Sequence, residues 1–347
     1  VRAVWRLAAT IAAGTILWGG QAAAQGAGGT PSGAVAFVYH RFGEDRFPST
    51  NTTLDQLEQQ IEALREGGYT VLPLPQIVDA LRRREPLPDK AVALTMDDAF
   101  ASIHDQAWPR LRKAGLPFTV FVATEPVDAG AAGYMTWDQL RALAGAGVVI
   151  GHHTVSHAHL PELADDRLPT ELAGASKRFR EELGVDPPLF AYPFGEYGLR
   201  EQKLVREAGF VAAFGQHSGV MHADEDMFGL PRYALNEKFG TLDRFRLAAA
   251  TLPLPVKDLT PLERVLRGEN PPPVGFTVDG RIDGLDQLRC YASNLSGPAR
   301  LERLGERRIE VRLGKPFLPG RGRLNCTLPG PDGRWRWLGM QFTIPPT

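Results

Sequence analysis

Residues 91–100 read A-V-A-L-T-M-D-D-A-F, a short apolar run that stops at two adjacent carboxylates, Asp97 and Asp98. A buried strand ending in acids is what an α/β enzyme places at the rim of its sheet, where active sites collect. Neighbouring side chains on a strand point to opposite faces, but at its end the backbone can turn both acids toward one pocket. Two like charges so close raise one pKa unless a cation stands between them, so the pair asks for a metal or a strong base.

A second apolar run, V-V-I-G-H-H-T-V-S-H-A-H-L over residues 148–160, ends in histidines: four of the eight in the chain lie between His152 and His159. His153 and His157 are spaced i,i+4, which puts both imidazoles on one face if a helical turn starts there. Two His and one Asp from the ends of two strands form a facial set that leaves positions open on a divalent metal. Zinc is the default ion for that donor set.

Around these two stretches strand and helix alternate. Strands are expected at 34–39, 69–72, 91–98, 118–123, 148–153, 189–192 and 210–214, with helices at 53–67, 75–84, 102–114, 136–144, 170–183 and 199–208. Units of this length imply right-handed crossovers and a largely parallel sheet, and catalytic groups at successive strand ends favour a closed (β/α) barrel. Beyond Leu252 the prolines at 253, 255, 261 and 271–273 predict a linker over 253–273. Short strand-like runs from Val274 to the end then predict a small C-terminal β-sandwich. Cys290 and Cys326 both lie in it, as a disulfide or as two buried thiols.

At the other end, Arg2 and Arg6 precede an apolar stretch from Leu7 to Trp18, and Ala22-Ala23-Ala24 has the small-residue pattern of a cleavage site. That predicts a signal peptide over 1–24, a spacer over 25–33, a barrel over 34–252, and a periplasmic or secreted protein without a membrane anchor after cleavage. A net charge of −1 gives no electrostatic case for nucleic acid. It suits a neutral substrate such as a glycan.

Thr95-Met96-Asp97-Asp98, His153-Thr154-Val155-Ser156-His157 and Tyr192-Pro193-Phe194-Gly195, in that order, resemble the three motifs of the NodB-homology polysaccharide deacetylases, carbohydrate esterase family four. The resemblance covers about 34–252 and implies a distorted (β/α) barrel. It implies Asp97 as general base, Asp98, His153 and His157 as metal ligands, and the backbone N–H at Phe194 as oxyanion donor.

Two departures stand out. Where the family carries an Arg two residues before the motif proline, this chain has Ala191, so either another cation substitutes or Asp97 is held by different hydrogen bonds and the pH profile shifts. The family's late Leu-x-x-His motif, source of its general acid, is absent; His217 and then His222 are the candidates after the strand at 210–214. His40, at the end of the first strand, either lines the pocket or caps the rim. Tyr192 and Phe194 are candidates to contact sugar.

The expected activity is hydrolysis of N-acetyl groups from an N-acetylhexosamine-containing polysaccharide, with release of acetate. An O-acetyl esterase on a xylan-like glycan and a non-catalytic glycan-binding protein are the alternatives.

Overall fold

The computed structural model describes residues 32–346. The expected signal peptide, and the spacer up to residue 31, lie outside the described residues. Among the described residues no helix is long and apolar enough to cross a membrane.

Seven strands carry the first part of the chain: β1 Gly33–Tyr39, β2 Thr70–Val71, β3 Ala91–Asp97, β4 Thr119–Val122, β5 Val149–His152, β6 Leu189–Ala191 and β7 Ala212–Phe214. They lie in the order β1-β3-β4-β5-β6-β7, all parallel, with β2 parallel on β3. After β7 the chain descends beside β1 as β8 (Met221–His222), antiparallel to it. It then climbs again: Leu230 bridges Phe214, and β9 (Tyr233–Ala234) pairs parallel with Phe37 and Val38. Residues 230–234 thereby join the last strand to the first and curl the sheet into the distorted barrel that the resemblance implied.

Period two sorts the side chains. Val92, Leu94 and Met96 of β3 pack outward with Val35, Phe37 and Tyr39 of β1 in one core. Helices α1 (Leu54–Glu66), α3 (Trp108–Ala114), α4 (Trp137–Gly145) and α7 (Leu242–Ala249) cover that core. Ala91 and Ala93 fall on the other face, in a core with Ala34, Ala36, Phe121, Ala191 and Phe214 that α2 (Leu74–Arg83) also joins. The same alternation carries Thr95 and Asp97 to that inner face. Its alanines leave room for a long side chain. The helix expected at 102–114 begins as a π-turn, Ile103–Ala107, and those expected at 170–183 and 199–208 are α5 (Arg167–Leu183) and α6 (Leu199–Glu207). Thr53 caps α1 through a capping box with Gln56.

The C-terminal part is two four-stranded sheets. One has the order β10 (Leu252–Pro253), β17 (Trp335–Ile344), β16 (Gly320–Pro329), β13 (Arg289–Ala292). The other runs β11 (Val256–Thr260), β12 (Val274–Val278), β15 (Arg308–Arg312), β14 (Arg300–Leu304). The stretch 253–273, expected as a linker, thus supplies strand residues to both sheets. Its prolines are tolerated because β10 and β11 are edge strands, where a missing N–H costs no interior ladder bond. Cys290 and Cys326 are paired in register on β13 and β16 and form a disulfide.

Closing a loop with a sequence separation of 36 stabilises the fold against its unfolded chain by roughly 3–4 kcal/mol in the chain-entropy treatment. Cys290→Ala/Cys326→Ala is therefore expected to lose about that much in urea unfolding. An unchanged midpoint would contradict it.

Candidate metal centre

The end of β3 builds the site. Asp97 points inward by strand alternation, and Asp98 and Ala99 follow with φ of 73° and 60°. Two successive left-handed residues swing Asp98 to the same side as Asp97, the turn that the adjacent acids required. From the end of β5 come His153 and His157, in a loop with Thr154 and His157 also left-handed rather than on a helical turn. Asp98 Oδ1 lies 3.4 Å from His153 Nε2 and 3.1 Å from His157 Nε2. One ligand atom from each of the three falls within 4.8 Å of the others.

The surroundings hold these side chains in place. His153 Nδ1 donates to the Ala191 carbonyl at 2.7 Å, and since a carbonyl only accepts, Nε2 is the nitrogen turned to Asp98. Glu171 on α5 accepts from the Val155 and Ser156 N–H groups (3.1 and 2.8 Å) and from the Ser156 hydroxyl (2.9 Å). Thr154 Oγ1 accepts from the His157 N–H at 3.1 Å. The histidine loop is pinned from its own chain and from a helix behind it.

Both Asp98 Oδ1 and His153 Nε2 are buried and without a hydrogen-bond partner. Burial lowers the His153 pKa, yet the Asp98 and Asp97 carboxylates outweigh it and hold the imidazole above its ordinary value. Burial pushes Asp98 up, and His153 and His157 bring it well below the carboxylate range. A pocket that favours positive charge this strongly, with two orphaned donor atoms, fits a divalent cation on Asp98, His153 and His157.

Asp97 is held differently. Arg232, just before β9, is fully buried and grips it in a fork: Nη1 to Oδ1 at 2.7 Å and Nη2 to Oδ2 at 2.8 Å. The guanidinium also bonds Thr95 Oγ1 and the Gly215 carbonyl and lies over the Phe121 ring. Burial raises the Asp97 carboxyl, but Arg232 and then His153 draw it below its usual range. Arg232 is thus the cation that takes the place left by Ala191. Sequence reading missed it, although a signal exists: it is the one charge in Gly229–Leu235, a run otherwise apolar.

The remaining candidates divide. His40 stands at the end of β1 with its Nδ1 buried and unpartnered; burial lowers it, while Asp98 and Asp97 pull it upward. Phe194 has φ 58° and its ring meets His157 edge-on at 4.5 Å. Tyr192 is not at the site: it is fully buried, its hydroxyl donates to the Phe228 carbonyl at 2.9 Å, and its ring stacks on Tyr197.

His222 is at the wrong end. It pairs with Gly33 at the start of β1, and six residues of strand, about 20 Å, separate that level from the rim. His217 opens into a cleft of about 300 Å³ shared with Tyr197, Glu225, Arg264 and the C-terminal sheets, which none of the metal trio lines. Burial pushes its imidazole down to about 4. Both were expected along the rim after β7, but the chain turns back down beside β1 instead. His152 packs among Phe179, Phe190 and Phe210 with burial holding it to about 3.

Residues 84–213 match the family model described as polysaccharide deacetylase. Among curated proteins the chain is 24% identical over 202 residues to a putative polysaccharide deacetylase of Bacillus subtilis, covering 58% of this chain and 71% of that one. It is 25% identical over 246 residues to the poly-beta-1,6-N-acetyl-D-glucosamine N-deacetylase of Escherichia coli, of which it spans 36%. Solved structures with the same fold include a Streptococcus pyogenes deacetylase in complex with acetate (TM-score 0.57, 22% identity, 62% of this chain and 97% of that one). IcaB from Ammonifex degensii is another (TM-score 0.55, 24% identity, 64% and 99%).

Breaking a buried pair by removing one partner costs about 3–5 kcal/mol, so Arg232→Met is expected to lose that much in urea unfolding at pH 7. Asp97 has its folded pKa depressed, so its share is present above the unfolded carboxylate value of about 3.9 and is lost as pH falls through the folded one. The gap between wild type and variant should therefore narrow below about pH 4. A gap that is absent at pH 7, or that grows in acid, would contradict the assignment.

Proposed function

From the premise that residues 84–213 form a polysaccharide deacetylase domain, we propose that this protein is a metal-dependent hydrolase that removes N-acetyl groups from a poly-N-acetylglucosamine-type glycan. The observation that carries the reading is the pair of adjacent acids with separate fates. Asp98 converges with two imidazoles on a cation-sized pocket, while Asp97, one residue away, is kept ionised by Arg232. A binding protein has no use for that division.

One divalent ion on Asp98, His153 and His157, zinc by donor type, supplies Lewis acidity toward the acetyl carbonyl and a water. Asp97 takes a proton from the attacking water as the new C–O bond forms. The C–N bond then breaks, and the leaving nitrogen needs a proton. His40 takes over the role first sought in His217 and His222, because it faces both acids and its Nδ1 has no competing partner. The backbone N–H at Phe194 serves the oxyanion.

N-deacetylation is favoured over O-deacetylation because an amine needs a proton to leave, and His40 stands beside the two acids to supply it. The gap at Ala191, which kept the esterase alternative open, is filled by Arg232. The relative from E. coli named for poly-beta-1,6-N-acetyl-D-glucosamine points to the same substrate class. The Cys290–Cys326 disulfide supports work in an oxidising compartment, in keeping with the export expected from residues 1–24.

Zinc-reconstituted protein is expected to release acetate from β-1,6-linked N-acetylglucosamine oligomers and not from acetylxylan. Asp97→Asn should keep zinc and lose kcat by about 10²-fold or more, and His40→Gln should keep zinc and lose roughly 10–10²-fold. Full turnover in Asp97→Asn, or preference for acetylxylan, would overturn the proposal.

A further inference from the structure

Strand β17 lies along the seam between the β-sandwich and the barrel, and its two faces serve different cores. Leu338, Met340, Phe342 and Ile344 fill the sandwich core, while positions 337, 339 and 341 face the barrel. Trp337 packs edge-on against Tyr233 at 5.6 Å. Gly339 lies so close to the barrel that a Cβ there would collide with the Ser218 carbonyl oxygen.

Next in that row is Gln341, 4% exposed. Its Nε2 donates to two successive carbonyls of the third motif, Phe194 at 3.1 Å and Gly195 at 3.0 Å. Arg321, on the neighbouring strand β16, adds a bond from Nη1 to the Phe194 oxygen at 3.3 Å. The carboxamide is oriented by this contact alone, since its Oε1 has no partner and turning it over would set oxygen against two oxygens.

The held backbone is the unusual one. Phe194 and Gly195 have φ of 58° and 69° in succession. Gly195 suits that region, and a Cβ there would lie 2.5 Å from the Gln216 nitrogen. A phenylalanine does not, and persists in it only when its surroundings fix it. The ring is fixed by stacking on His159 at 4.0 Å, itself tied to Glu196 at 2.7 Å. The carbonyl side is fixed by the sandwich.

We propose that the C-terminal sandwich is a working part of the active site, with Gln341 as a positioning residue that locks the Phe194–Gly195 backbone beside His157. This rests on the deacetylase reading above. Released from Gln341, Phe194 relaxes toward negative φ, its flanking peptides rotate, and its N–H leaves the place where charge develops on the acetyl oxygen. Binding of the metal does not require Gln341, which touches none of the trio.

The test compares zinc-loaded wild type, Gln341→Leu, Gln341→Glu and Arg321→Ala as full chains. It measures kcat and KM on N-acetylglucosamine oligomers, zinc stoichiometry, and hydrogen exchange of the segment 192–196. Both Gln341 variants should lose about 10–100-fold in kcat, as for a displaced oxyanion donor, with KM within about 2-fold and zinc retained. The 192–196 amides should exchange faster in both. Arg321→Ala, an exposed side chain that keeps the test open should the buried variants misfold, should lose about 2–5-fold in kcat with faster exchange in the same segment.

Unchanged kcat and exchange would overturn the proposal, as would a kcat loss matched by lost zinc or raised KM. A wild type that releases no acetate would instead overturn the deacetylase reading, and the exchange data would still decide the positioning role.

Discussion

A carboxylate buried in a barrel stays ionised only if something pays for its desolvation, and here that is the forked contact between Arg232 and Asp97. The two residues are 135 apart in sequence. They meet because the stretch 230–234 joins the last strand back to the first, so the contact that keeps Asp97 ionised is made by the segment that closes the barrel. The small inner faces of β1 and β3 make room for it. With Asp97 committed to Arg232, Asp98 is left to face the two imidazoles, and one pair of adjacent acids becomes two groups with different chemistry.

Much of this was legible in the sequence. The apolar run into Asp97-Asp98 marked the strand end, and the histidine concentration marked its partner two strands away in the sheet. Period two, applied to Ala91–Asp97, even states which acid faces inward. Local signals sufficed because each of these residues sits where its own strand ends. Arg232 was hidden because its partner is remote in sequence and its segment is too short for a periodic pattern. That His217 and His222 lie away from the three ligand residues was not legible for a related reason: proximity to a strand end in sequence does not say whether the chain continues along the rim or turns back. Tyr192 belongs to a motif by spacing, yet its side chain points outward into aromatic packing.

The region after Leu252 shows a different limit. Proline density argued for a linker, but a proline removes only one donor, and an edge strand has a row of donors to spare. Those residues begin the sandwich and bring it against the barrel. β17 then lies along the seam with Leu338, Met340 and Phe342 in the sandwich core and positions 337, 339 and 341 against the barrel. The polar pattern of that strand, with Gln341 between Met340 and Phe342, reads as an ordinary exposed edge until the Phe194 and Gly195 carbonyls are seen opposite it.

The most direct measurement is anomalous diffraction at the zinc edge on crystals of the reconstituted protein. The account predicts one peak about 2.0–2.2 Å from an Asp98 oxygen, His153 Nε2 and His157 Nε2, with Asp97 unligated and still forked on Arg232. A peak bonded to Asp97, or none at these three side chains, would contradict it.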